Sequence, residues 1–144
     1  MSEEKIQDCI FRLDHRKIKL SGYRTSVLYL ANPDERFVLR KQLDECLHPE
    51  GDICDWLIET DDGNQPAGQI FAELKGHQWR EAADQLGKAL RQYPPNQNGF
   101  TTRCYIVGTG FPGFRATGQK LIDRFQREFN VRLFTVRDGQ TVPL

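Results

Sequence analysis

The chain has 144 residues, and its 20 Lys and Arg balance 20 Asp and Glu. The length fits a single domain over 1–144, on a prior of about 150 residues per domain. Zero net charge excludes a broadly basic, histone-like nucleic-acid binder and an acidic disordered tail. The longest apolar run, Val27–Ala31, is far short of the roughly 20 residues that span a membrane. The first residues lack a charged-then-apolar signal pattern. A cytoplasmic protein with no membrane association is expected.

Residues 3–14 predict a helix, because Ile6, Cys9, Ile10 and Leu13 recur at helical spacing, with Ser2 as N-cap. Tyr23–Leu30 and Arg36–Leu47 read as extended, and Asn32-Pro33-Asp34 between them reads as a hairpin turn. Ile53–Glu59 reads as a strand in which Cys54, Trp56 and Ile58 alternate with Asp55, Leu57 and Glu59. Asp61-Asp62-Gly63-Asn64 is the expected hairpin connection to a strand over Gln69–Lys75. Ile70, Ala72 and Leu74 form one face of that strand, and Phe71, Glu73 and Lys75 the other. Gly76 ends it. A helix is predicted over 77–93, with Trp79, Ala82, Ala83, Leu86, Leu90 and Tyr93 on one stripe, closed by Pro94-Pro95. Thr101–Val107 predicts a strand, Gly108–Gly113 a loop, 116–129 a helix and Val131–Arg137 a last strand. This order predicts an α/β or α+β domain, a central mixed β-sheet flanked by helices. Cys9, Cys46, Cys54 and Cys104 have no CxxC spacing, and His15, His48 and His77 complete no zinc pattern. Buried thiols are expected rather than disulfides.

Neutrality hides a gradient. Residues 1–62 hold 14 acids and 9 bases, whereas residues 63–144 hold 6 acids and 11 bases. The stretch from Gln42 to Leu74 contains nine carboxylates and no Lys or Arg. Hard divalent cations need converging carboxylates, so this stretch is where a cation site is sought.

The sharpest constellation is Asp55 with Glu73-Leu74-Lys75. Both motifs sit in apolar strands joined by a turn signal, which makes the strands antiparallel neighbours. Period two puts Glu73 and Lys75 on one face. Charges within apolar strands need partners or an ion. The bland alternative is a structural cross-strand salt bridge to Lys75.

The pattern Asp55, hairpin, Glu73-x-Lys75, then a helix resembles the PD-(D/E)XK nuclease superfamily, with its restriction-endonuclease-like core. The resemblance covers about Asp44 to Val136, and Phe71-Ala72-Glu73-Leu74-Lys75-Gly76 is similar to its motif strand. It implies that Asp55, Glu73 and the Leu74 backbone carbonyl hold Mg²⁺ or Mn²⁺, and that Lys75 assists the attacking water. Gln85 matches members that carry a glutamine on the following helix; otherwise it is an ordinary surface residue. Two departures stand out. Cys54, not a proline, precedes Asp55, and no acid on the first helix is fixed by spacing. Asp44 is an alternative extra carboxylate.

Two further signals are weaker. Gly108-Thr109-Gly110-Phe111-Pro112-Gly113 is a literal GxGxxG, but Pro112 interrupts it and no acid follows at a strand end, so a nucleotide cofactor ranks last. A glycine turn approaching a nucleic-acid backbone fits better, with Phe111 and Phe114 available to stack on bases. Arg115, Lys120, Arg124 and Arg127 form a candidate phosphate-contacting surface, which Arg80 and Arg103 extend; a solvated helix face is the bland reading. The expectation is a metal-dependent DNA endonuclease, with DNA preferred over RNA, targeted by a homodimer or a partner protein. The alternative is a non-catalytic module on the same fold that binds nucleic acid or a partner.

Overall fold

In the computed structural model, which describes residues 3–22, 26–60, 68–74, 78–95 and 101–144, the N-terminal segment is a β-hairpin and not the expected helix. Strand β1 (Glu3–Gln7) pairs antiparallel with β2 (Ile10–Leu13) around a tight turn in which Cys9 adopts φ 71°. The helical spacing has a simple cause. Ile10 and Leu13 are an odd number of residues apart, so they point to opposite faces of a strand, and both are buried. A strand covered on both faces can imitate a helix repeat. Ser2 lies outside the described residues.

Strands β3 (Lys17–Ser21) and β4 (Val27–Ala31) follow as an antiparallel pair, with Ile18, Leu20, Leu28 and Leu30 fully buried. The turn signal at Asn32-Pro33-Asp34 does mark a reversal, but not a hairpin. It carries the chain from one sheet to another, because β5 (Val38–Gln42) pairs with β2 and not with β4. Asn32 causes the redirection. Its buried side-chain amide donates to the His15 and Arg36 carbonyls at 3.0 and 2.8 Å, and its oxygen accepts from the Arg36 N–H at 3.0 Å.

The remaining elements are β6 (Trp56–Thr60), β7 (Gly68–Leu74), α1 (Trp79–Gln92), β8 (Thr101–Gly108), α2 (Phe114–Phe129), β9 (Arg132–Arg137) and β10 (Thr141–Pro143). A seven-stranded sheet runs β1-β2-β5-β6-β7-β8-β9, antiparallel up to β7 and parallel from β7 to β9. A three-stranded sheet runs β10-β4-β3. The chain is therefore a mixed α+β fold with a mixed sheet. The expected central mixed sheet with flanking helices is present, with both helices on the same side. They pack on one face only, where Phe71, Leu86, Cys104, Ile106 and Phe125 form a core. The other face is covered by the small sheet, through Ile18, Leu28, Leu30, Ile58, Ile70 and Val107. Strand β7 is buried from both sides, as Ile70, Ala72 and Leu74 belong to the second core and Phe71 to the first. No helix among the described residues is long and apolar enough to cross a membrane.

The small sheet touches the end of β7 closely. A Cβ on Gly22 would lie 2.4 Å from the Leu74 Cβ, too close for either backbone to ignore. Gly22→Ala is expected to destabilise by about 1–3 kcal/mol through overpacking. A urea midpoint equal to that of the unsubstituted protein would refute the contact.

The cysteines divide differently from the expectation of four thiols. Cys9 and Cys46 form a disulfide with Cα atoms 5.8 Å apart, while Cys54 and Cys104 are buried and free. Burial pushes both free thiols well above the ordinary range, and the nearby Glu73 carboxylate raises Cys54 further. Neither is a nucleophile.

Candidate functional site

The last pair in the β6–β7 ladder is Trp56 with Ala72, so one step further the register sets Asp55 opposite Glu73. Asp55 lies just before β6 and not within a strand, as the sequence pattern suggests. The two acids are tied reciprocally. The Asp55 N–H donates to Glu73 Oε1 at 2.9 Å, and the Leu74 N–H donates to Asp55 Oδ2 at 2.9 Å. Each carboxylate thus closes the main chain of the other's strand where the ladder ends. The Leu43 N–H in turn donates to the Asp55 carbonyl at 2.9 Å, which fixes the approach of the chain.

Glu73 is only 1% exposed, whereas Asp55 is half-buried, so the pair is reached from the Asp55 side. Carboxylates set opposite each other where one is buried favour a cation partner, since buried charge is costly without one. Lys75, the lysine of the motif, lies outside the described residues, as do Gly76 and the Asp61–Asn64 connection. The side chains set opposite each other at the ladder end are two carboxylates. Carboxylate oxygens are the donors that hard divalent cations take. Asp44 does not join the pair, since no group of three or more His, Cys, Asp or Glu with metal-binding geometry occurs among the described residues. Asp44 instead belongs to the turn after β5, in a bridge with His48.

Gln85 is not a surface glutamine. It is 5% exposed, and its Oε1 is buried without a hydrogen-bond partner. It lies on the flank of α1 shared with the buried Ala82 and Ala89. The other flank meets α2, through Arg80 to Thr117 and through Arg91 over the Phe129 ring. An unsatisfied buried acceptor of this kind costs stability and calls for a reason.

Strands β7, β8 and β9 are parallel, so their C-terminal ends share the edge at which Glu73 sits. The Gly108–Gly113 segment returns from that edge. It is tied to α1 by Trp79, which the stripe assigned to the core only: the Trp79 indole N–H donates to the Pro112 carbonyl at 2.7 Å. Arg80 lies over the Trp79 ring and against Gly113, placing a cation beside the loop. Phe114 packs edge-on to Trp79 and Phe111, a turn-packing role rather than an open stacking surface.

The basic residues divide. Arg115, Lys120, Arg124 and Arg127 are all exposed on α2. Lys120, Arg124 and Arg127 share a side, but Arg115 is turned about 140° from Lys120 at ~100° per residue. Arg115 also stands in the first turn by the site edge, while Arg127 lies roughly 18 Å along the helix from it. Arg103 is on the opposite face of the sheet, where it donates to the Tyr105 hydroxyl and the Pro143 carbonyl.

No family model, no curated protein and no solved structure matches the chain.

Proposed function

We propose that the chain is a divalent-metal-dependent phosphodiesterase of the PD-(D/E)XK type, a DNA endonuclease whose restriction-endonuclease-like core is β5-β6-β7-α1-β8. The observation that carries this reading is the Asp55–Glu73 pair, bound to each other's strands at the open end of the β6–β7 ladder. The antiparallel run β5-β6-β7, followed by α1 and a strand parallel to β7, supports it as the order the sequence resemblance implies.

In this reading Asp55, Glu73 and the Leu74 carbonyl hold Mg²⁺ or Mn²⁺. When bound, the ion supplies a more acidic water and neutralises phosphoryl charge. Lys75 orients the attacking water and stabilises charge as it develops. Gln85 contributes an amide from the helix behind the pair. Arg80 and Arg115 meet phosphates at the site edge, and Lys120, Arg124 and Arg127 meet them further along the duplex. A second copy or a partner protein supplies targeting in this reading.

Incubation with circular and linear DNA and with RNA, with Mg²⁺ or Mn²⁺, is the test. Cutting of the circle is expected. Lys75→Ala should lose cleavage by about 10²–10³-fold, the scale of removing one charge-stabilising donor, with unchanged circular dichroism. Full activity in that variant ends the role of Lys75. One observation favours the alternative, a non-catalytic module: Glu73 is nearly inaccessible. In that case no Mg²⁺ or Mn²⁺ binding would be lost in Asp55→Asn.

A further inference from the structure

The disulfide lies on the path that delivers Asp55 to its place. Cys9 forms the tip of the β1–β2 hairpin, and its carbonyl accepts from the Gln42 N–H at 2.9 Å, where β5 ends. Cys46 sits in the turn that follows β5. That turn is closed by the Cys46 N–H to the Leu43 carbonyl, the Leu47 N–H to the Gln42 carbonyl and the His48 N–H to the Leu43 carbonyl. Leu43 then donates to the Asp55 carbonyl, and Asp55 exchanges hydrogen bonds with β7. The sulfur bridge therefore clamps one end of a short relay: Cys46 turn, Leu43, Asp55, Glu73 and Leu74.

Three features make the bridge suited to a reversible role. Cys9 and Cys46 are both half-buried, so a reductant can reach them. The other two thiols are fully buried, so they offer no competing exchange partner. The segment it secures, between β5 and β6, has no strand of its own from Leu43 to Asp55 apart from the Asp44–His48 bridge. It depends on turns and on packing of Leu43, Ile53 and Cys54 into the helical-face core. Disulfides of this kind persist in oxidising settings and open in reducing ones.

We propose that Cys9–Cys46 is a redox latch on the Asp55–Glu73 pair. In the oxidised protein the pair is ordered. A dithiol reductant breaks the Cys9–Cys46 S–S bond, its two electrons and two protons yield two cysteine thiols, and the reductant leaves as its own disulfide. The turn after β5 then loosens and Asp55 loses its fixed position. The ordering of the pair is independent of what the pair does; the consequence for cleavage rests on the nuclease reading above.

The two functions of the pair can be read separately. Hydrogen exchange of the Leu43, Asp55 and Leu74 amides reports the relay directly, since each N–H donates within it. On reduction with dithiothreitol these amides should exchange at least about tenfold faster, while Ile106 in the middle of the sheet keeps its protection. The Cys9→Ser/Cys46→Ser variant should already exchange fast and ignore the reductant. Mg²⁺-dependent nicking of a plasmid should fall with reduction and return on reoxidation. Unchanged exchange at Asp55 and Leu74 after complete reduction, verified by two newly titrating thiols, overturns the latch. So does equal loss of protection at Ile106, which makes the bridge a global staple. Faster local exchange in a protein that cuts nothing in either state upholds the latch and overturns the nuclease reading.

Discussion

Glu73→Gln is expected to reduce divalent-metal-dependent cleavage by about 10²–10³-fold or more, the scale of losing one charge-stabilising group, while the fold survives intact. The substitution is nearly isosteric. The glutamine carbonyl oxygen can still accept from the Asp55 N–H, so the tie between β6 and β7 is kept. What disappears is one negative charge in a position that is 1% exposed. Keeping an ion there is costly, and replacing a buried charge by a neutral group of the same shape is often neutral or stabilising. The urea midpoint should therefore stay level or rise, by about 1 kcal/mol at most. Opposite movement of activity and stability marks a residue retained for chemistry. Retained cleavage would remove Glu73 from the reaction. A loss of 3 kcal/mol or more with unchanged activity, by contrast, would assign the charge a structural role of the kind seen when a buried pair is broken (about 3–5 kcal/mol).

Where local pattern decides the outcome, the sequence was readable. In β7, period two separated Ile70, Ala72 and Leu74 from Phe71 and Glu73; the first three enter one core and Phe71 the other. The stripe from Trp79 to Leu90 became the buried side of α1, and Phe125 anchors α2. The pairing of Asp55 with Glu73 followed from two strands and a turn between them. Readability failed where distant parts of the chain choose each other. Within residues 3–14, Ile10 and Leu13 fall at helical spacing because β2 buries residues of both faces, whereas Ile6 lies exposed on β1. The Asn32 turn has hairpin composition, yet its side chain bonds His15 and Arg36 and turns the chain into another layer. Strand β10 is three residues long and pairs with β4 from the other end of the chain. The Cys9–Cys46 bridge joins residues 37 apart with no spacing rule to announce it. Gln85 was legible as a position but not as a buried, unpartnered acceptor, because tertiary packing and not helix periodicity sets its burial.

Phe71→Ala should be among the most damaging single changes, at about 3–5 kcal/mol. The ring is fully buried on the helical face of the central strand. Its cross-strand neighbours are Leu57 and Cys104, both fully buried and each held in a ladder. Collapse into the vacated space would need β6, β7 and β8 to move together, so the cavity stays open and the cost lies in the upper part of the range. Against a total stability of about 5–15 kcal/mol, that is a large fraction. A chain of this size should lose roughly 10 °C or more in Tm. Phe134 supplies the control. It is the same residue type on the edge strand β9, 38% exposed and stacked on Tyr105 with ring centroids 5.4 Å apart. Its alanine variant should cost only about 1 kcal/mol, the value of an aromatic pair with limited burial. Equal costs at the two positions would mean that the edge strand is covered in solution, and the Phe134 cost would then depend on protein concentration. The contrast also isolates the site from the core. Asp55 and Glu73 are held by main-chain donors at the end of the ladder, not by the Phe71 ring. Any cleavage by the Phe71→Ala protein should therefore track its folded fraction as temperature rises. Activity lost well below the unfolding transition would show that the core positions the carboxylates directly.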